Sequence, residues 1–416
     1  MSEFERELEE RLTAIRDQGL YRQLRRVDSA QGPGIELAGR KLINFSSNDY
    51  LGLANHPGLK EAAMKAVDEF GAGSGASRLI CGSLAPHHEL EDALAAFKGA
   101  EAALSFSSGY GTAIGTICAL LGKEDIVIVD KLVHACIVDA ARLCGAKIRI
   151  FAHNDLNDLE NILKWTDSRN ESAKSHPQCG ASGIRMARPA GQQSRALIVT
   201  ESIFSMDGDH APLREIVALK EEYGAWLMVD EAHATGIYGE RRRGLADQLG
   251  VADHIDIHMG TLGKALGASG GFICGSRALI DFLINRARSF IFSTAPVPAA
   301  AAAAKAGVQF IQSREGEERQ RKVWSLAGLL KNSAIAAGID VIAPGSLIMP
   351  IIVGDEAKAV AIATALRAKG IFVPAIRYPT VARGAARLRV TLTASHSVDD
   401  VVTLVQALGE IADRKL

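Results

Sequence analysis

Beginning near Ser83, two kinds of segment alternate, and this constrains the fold more than any other feature of the chain. HHELEDALAAFKG, TAIGTICALLG, HACIVDAARLCG and LREIVALKEEYG space their apolar residues as amphipathic helices do. Between them lie the short extended runs AALSF, DIVIVD, KIRIFA, ALIVTES, AWLMVD and IDIHMG. These runs are continuous and rich in β-branched residues instead of alternating apolar with polar. Parallel strands covered by helices on both faces read this way. The expected fold is α/β, with a large doubly wound, mostly parallel sheet.

At 416 residues the chain exceeds one ordinary domain of ~150. The rhythm breaks between Trp165 and Ser194, a stretch of Ser, Asn, Pro, Gly and Gln that reads as a surface loop inserted before ALIVT. It changes again near Pro296 and Pro298. An Ala-rich helix there leads into KVWSLAGLLKNSAIAAG, SLIMPIIVG, AKAVAIATALRAKG, the strands IFVPAI and RLRVTLTA, and the helix VDDVVTLVQALGEIADR. Three parts are expected: an N-terminal helix and arm over 1–55, a large ligand-binding domain over 56–295, and a small α+β C-terminal domain over 296–416.

Charge and apolar content exclude several classes. The 47 Lys and Arg nearly cancel the 48 Asp and Glu, leaving no basic field for a phosphate backbone, so no nucleic-acid partner is expected. MSEFERELEERL is a charged amphipathic helix without a secretory apolar run, and no later stretch keeps ~18 apolar residues free of charge. No membrane association is expected, and the expected location is cytoplasmic. Six cysteines without a C-x-x-C pair suggest neither a disulfide framework nor a zinc site. The surplus is in glycine, 40 residues, which asks where the backbone must approach something closely.

Several motif matches are set aside on context. Gly71, Gly73 and Ala76 fit a dinucleotide fingerprint but follow a helical segment instead of a strand. Gly267, Ser269 and Gly271 fit a hydrolase elbow, yet strand-like GFICG follows where a helix is needed. Asp230-Glu231-Ala232-His233 spells a helicase box without the phosphate loop such a motor requires. His254 and His258 lack a third ligand and read as polar residues of a strand, so no metal is expected.

A different set shares one geometry. AWLMVD ends in Asp230, and the carboxyl ends of strands in an open α/β sheet face the ligand crevice. His233 lies three residues on, and Lys264 sits in the glycine-rich turn Thr261-Leu262-Gly263-Lys264 after another strand. Ser107-Ser108-Gly109-Tyr110-Gly111 joins AALSF to a helix and would present free amides to an anion. Each part alone has an ordinary structural reading: a solvated lysine, a capping serine, a buried aspartate. Together they match what pyridoxal 5'-phosphate requires, namely a phosphate cup, a carboxylate for the ring nitrogen and a lysine for the aldehyde.

The chain also resembles the α-oxoamine synthases, pyridoxal-phosphate transferases of fold type I. The resemblance runs from NFSSNDYLGLANHP through GSGASRLICGS, SFSSGYG, DKLVHACIVDAARL, TESIFSMDGDHAPL, VDEAHATGIYGERRRG and GTLGKALGASGG to ARLRVTLTASH. ARSFIFSTAPVP and AIRYPTVARGAARLRVTLTASH are closest to members that join L-alanine to a pimeloyl thioester, of coenzyme A or acyl carrier protein, in biotin formation. GTLGKALG and RLCGAK are shared with members that use glycine.

The resemblance implies residue roles. Lys264 would hold the cofactor and then remove the α-proton; Asp230 would pair with the ring nitrogen, and His134 would stack on the ring. His233 and Ser205 would reach the ring hydroxyl, while Gly109, Tyr110 and Thr261 would hold the phosphate. Arg389 would clamp the amino-acid carboxylate, with Asn48, Thr380 and Arg22 completing the substrate pocket. Arg22 lies in YRQLRR, which also reads as a solvated helix face. The resemblance further implies a homodimer with its active site at the subunit interface. A non-catalytic relative would need the lysine or aspartate replaced, and both are present.

Overall fold

The computed structural model describes residues 1–175, 194–342 and 345–413. After an N-terminal helix, Glu3–Asp17, the strands β1 (Gly34–Leu37) and β2 (Arg40–Asn44) form an antiparallel hairpin. The principal sheet contains β3 (Ala102–Phe106), β4 (Ile126–Asp130), β5 (Lys147–Phe151), β6 (Ala196–Glu201), β7 (Trp226–Asp230), β8 (Ile257–Thr261) and β9 (Gly271–Gly275). Its spatial order is β3-β9-β8-β7-β6-β4-β5. The pairs β4–β5, β4–β6, β6–β7 and β7–β8 are parallel, and β9 is antiparallel to both of its neighbours. The expected doubly wound, mostly parallel sheet is therefore present. Every residue of β3 and β4 is buried, whereas β5, at the sheet edge, is buried only at Phe151.

Local sequence explains where the helices begin. The helix Pro57–Phe70 starts with Pro at its first position and is capped by the His56 side chain, which accepts from the Gly58 amide at 3.2 Å. The Ala-rich helix Pro298–Gln312 packs against Pro57–Phe70 and Ala85–Lys98. Small side chains let it come close to the loop after β8: a Cβ added at Gly307 would lie 2.2 Å from the Leu266 carbonyl oxygen.

Towards the C-terminus, β10 (Ile348–Gly354), β12 (Ala375–Ile376) and β13 (Ala386–Thr391) form an antiparallel sheet in the order β10-β13-β12. The two-residue strand β11 (Ile371–Phe372) instead runs parallel to β2, adding a third strand to the N-terminal hairpin. One apolar core continues from Phe45 to Ile411.

The structure departs from the expectations at four places. IFVPAI is two strands in two sheets, because Pro374 has no amide to donate to a ladder. The stretch from Trp165 onward is not loop from its start: the helix Leu156–Ser175 extends through its first eleven residues, and 176–193, including Arg185, lie outside the described residues. YRQLRR is not helical; Glu3–Asp17 ends before Gly19, whose φ of 65° turns the chain away. His254 closes a short 3-10 turn, Ala252–His254, and only His258 belongs to a strand. Among the described residues no helix is long and apolar enough to cross a membrane, and no cluster of three or more His, Cys, Asp or Glu could hold a metal.

Candidate active site

The carboxyl ends of β4, β6, β7 and β8 open on one side of the sheet, and the chemistry gathers there. Asp230, the last residue of β7, is 6% exposed, and its Oδ1 accepts the Ala232 amide at 2.9 Å. The turn after it brings in His233, whose Nε2 stands 2.9 Å from Lys264 Nζ, on the loop after β8. The opposite ring nitrogen, Nδ1, is 2.6 Å from the Tyr50 hydroxyl. Tyr50 is fully buried. Sequence reasoning missed it, although it lies two residues beyond Asn48 in the same quoted segment.

Burial acts on all four groups. It lowers the Lys264 ammonium below its usual range, against the opposing charges of Asp230 and Glu201. It raises the Asp230 carboxyl, with Lys264 pulling the other way. It holds His233 well below the ordinary imidazole range, with Lys264 and Arg389 acting in the same direction, so the ring is neutral near pH 7. It pushes the Tyr50 phenol up to about 12. A buried amine of lowered basicity beside a neutral imidazole is a nucleophile and a proton acceptor.

Arg389 projects from the central strand β13 and is 5% exposed. Its Nε donates to the Ser205 carbonyl at 2.6 Å, and Nη1 and Nη2 both donate to Asn48 Oδ1 at 3.2 Å. Asn48, Ser205 and Arg389, far apart in sequence, are thus in direct contact. Arg22 Nη2 meets Thr380 Oγ1 at 3.4 Å, so these two are also brought together, as an exposed pair.

His134 caps the helix Ala135–Cys144, where its Nδ1 accepts the Cys136 amide at 3.2 Å and lies 3.0 Å from the Cys136 thiol. Its ring is exposed and within electrostatic reach of Asp230 and Lys264. A second network missed by sequence reasoning braces the loops around it. His153 bridges Asp130, at the end of β4, and Asp209, beyond β6, at 2.9 and 2.6 Å.

Residues Gly109 to Gly111 open the helix Gly109–Leu120, with the Ser108 side chain accepting the Gly111 amide at 3.0 Å. The strand opposite must come very close. A Cβ at Gly271 would lie 2.7 Å from Gly109 Cα and 2.5 Å from Thr112 Oγ1, so only glycine fits. This approach sets Thr261 beside the helix terminus, with its Oγ1 3.8 Å from where a Gly109 Cβ would be. The Tyr110 hydroxyl turns away and donates to Asp139 at 2.7 Å, which leaves its main-chain amide as its contribution to the cup.

These donors fit a phosphorylated pyridine aldehyde. A helix N-terminus with a threonine beside it suits a phosphate. Asp230, with its carboxyl raised by burial and Oδ1 held by a single amide, suits a protonated ring nitrogen. The buried lysine amine suits an aldehyde.

The chain matches known proteins along most of its length. The family described as Aminotransferase class I and II matches residues 40–408. The 8-amino-7-oxononanoate synthase of Geobacter sulfurreducens is 46% identical over 400 residues, 96% of each chain. Among solved structures, a serine palmitoyltransferase from S. paucimobilis with PLP and myriocin bound superposes with a TM-score of 0.86 at 27% identity, covering 98% of this chain and 97% of that one. The 8-amino-7-oxononanoate synthase of Francisella tularensis gives 0.72 at 25% identity, covering 90% and 98%.

Proposed function

The chain belongs to the class I and II aminotransferase family, and from that premise we propose that it is a pyridoxal-phosphate-dependent C-acyltransferase of biotin formation. It condenses L-alanine with a pimeloyl thioester, of coenzyme A or acyl carrier protein, to give 8-amino-7-oxononanoate, carbon dioxide and the free thiol. The observation that carries this reading is Lys264 Nζ, a buried amine 2.9 Å from a neutral His233 and in the field of Asp230 at the strand ends.

Pyridoxal phosphate, when bound, supplies the electron sink that accepts the pair left on the alanine α-carbon and later the pair released with carbon dioxide. The protein's own groups do the rest. Lys264 would hold the aldehyde through Nζ and would take the α-proton on the same atom. Asp230 would face the ring nitrogen and favour its protonated form, which sets the strength of the sink. His134 would cover the ring face, and His233 and Ser205 would reach the ring hydroxyl. The Gly109 and Tyr110 amides and Thr261 would hold the phosphate. Arg389 exchanges the Asn48 carboxamide for the alanine carboxylate, binding it through two parallel N–H donors. Arg22 and Thr380 close the outer side of the pocket.

We also read residues 1–55, 56–295 and 296–416 as arm, cofactor domain and small domain; the pairing of β11 with β2 supports grouping the arm with the last part. A cytoplasmic homodimer fits the exposed apolar Leu79, Ile80 and Phe292 on one molecule. The test is product formation from pimeloyl-coenzyme A or pimeloyl carrier protein with L-alanine, run beside the same reaction with glycine. Alanine should be the preferred amino acid; turnover of glycine alone would assign the chain to the glycine-using members.

A further inference from the structure

Lys98 is the last residue of the helix Ala85–Lys98, and its side chain is buried against the turn that follows β7. There its ammonium donates to Glu231 Oε2 at 2.9 Å, to Thr235 Oγ1 at 3.0 Å and to the Arg243 carbonyl oxygen. Three donors thus have three acceptors. The ion pair is dry, with the Lys98 and Glu231 side chains 3% and 2% exposed. The other carboxylate oxygen of Glu231 accepts the Ala246 amide at 3.0 Å, and His258 Nδ1 stands 3.9 Å from Oε2. The roles assigned above use neither Lys98 nor Glu231.

The pair clamps the turn that carries two groups of the site. Glu231 directly follows Asp230, and its amide donates to the Met259 carbonyl at 2.9 Å, which takes the β7–β8 ladder one step past Asp230. Its own carbonyl accepts the amides of Ala234 and Thr235 at 3.0 and 2.9 Å, closing the turn. His233 lies inside it. Lys98 therefore grips both ends of the segment, at Glu231 and at Thr235, while its middle residue places Nε2 2.9 Å from Lys264 Nζ. The loop that brings Arg243 and Ala246 to the pair is fitted closely too. Gly244 has a φ of 141°, and a Cβ there would lie 2.4 Å from Glu231 Oε1.

We propose that Lys98 and Glu231 are positioning residues: their buried ion pair fixes the turn from Glu231 to Thr235, and with it the places of Asp230 and His233 relative to Lys264. A buried ion pair is a poor source of net stability, since removing two charges from water offsets most of their attraction. What this one supplies is direction. Charge-assisted bonds from one ammonium to three acceptors on two segments hold the turn in a single arrangement.

The inference rests on reading the pocket as a pyridoxal-phosphate site, and two readouts keep the two apart. Wild type, Lys98→Met and the double variant Lys98→Met/Glu231→Gln are compared, each prepared without cofactor. Lys98→Met leaves a carboxylate buried alone and should lower the unfolding midpoint; the double variant removes both charges at similar volume and should recover most of that loss. The first readout is pyridoxal phosphate binding by equilibrium dialysis, which wild type must show for the pocket reading to stand. Both variants should bind at least about tenfold more weakly, as when groups of a site lose the contacts that orient them.

The second readout needs no cofactor. Acetylation of Lys264 by acetic anhydride at neutral pH is followed by mass spectrometry of the Gly263-Lys264-Ala265 peptide, with the exposed Lys123 as reference. A freed turn should open the buried amine and raise its relative rate at least about threefold in both variants. A wild-type affinity or a wild-type Lys264 rate in the folded double variant would overturn the proposal. So would a double variant no more stable than Lys98→Met, which would assign the pair to stability alone. Should wild type bind no pyridoxal phosphate, the pocket reading falls and the Lys264 rate decides the clamp. Should one variant fail to fold, the other decides alone.

Discussion

Tyr50 Oη lies 2.6 Å from His233 Nδ1, on the side of the imidazole opposite Lys264. Burial keeps His233 neutral and Tyr50 protonated, so one ring nitrogen donates and the other accepts. With the phenol donating to Nδ1, Nε2–H faces the lysine amine. Tyr50 thus sets which tautomer Lys264 meets, and with it the proton inventory at that amine.

Replacing Tyr50 by Phe should preserve the fold and strand Nδ1 in a dry site, a penalty of about 1–3 kcal/mol, or roughly ten- to a hundredfold in kcat if it falls on the transition state. Steady-state kinetics across pH provide the check. An unchanged kcat and pH profile would remove Tyr50 from the account.

Arg389 meets Asn48 through both terminal nitrogens of its guanidinium. Lysine cannot reproduce that fork. Arg389→Lys should raise the KM for alanine roughly thirtyfold, about 2 kcal/mol for a charge-assisted contact, while the KM for the thioester moves little. An equal effect on both substrates would point to general damage instead of carboxylate recognition.

His153 provides a pH test of the loop bracing. Burial disfavours its charge, but the bonds to Asp130 and Asp209 and their charges outweigh burial and push it up to about 10. With the unfolded value near ~6.5, the stabilisation is complete below that pH and is lost as pH rises through about 10. Wild type should lose stability relative to His153→Gln over this alkaline window. Parallel unfolding curves for the two proteins from pH 7 to 10 would refute a charged His153.

Much of this was readable from the chain because parallel strands covered on both faces must be uninterrupted apolar runs; β4 and β7 announce themselves as IVIVD and WLMVD. Asp230, Lys264 and the Gly109 turn were legible for a related reason, since strand ends and helix starts are where a ligand meets this kind of sheet. The hairpin β1–β2 escaped because strands of four and five residues carry little periodicity of their own. The helix through Trp165 was hidden by its polar composition. Tyr50 and His153 were beyond reach for a deeper reason. Their partners lie 183 residues away in one case, and 23 and 56 in the other, and nothing local in the sequence marks such a contact.

Covalent attachment of the cofactor to Lys264 is the claim on which the rest depends. Borohydride reduction of the protein equilibrated with pyridoxal phosphate, followed by proteolysis and peptide mass spectrometry, tests it directly. A phosphopyridoxyl group on the Gly263-Lys264-Ala265 peptide, absent from Lys264→Ala, is the predicted result; the label on another lysine, or its persistence in that variant, would contradict it.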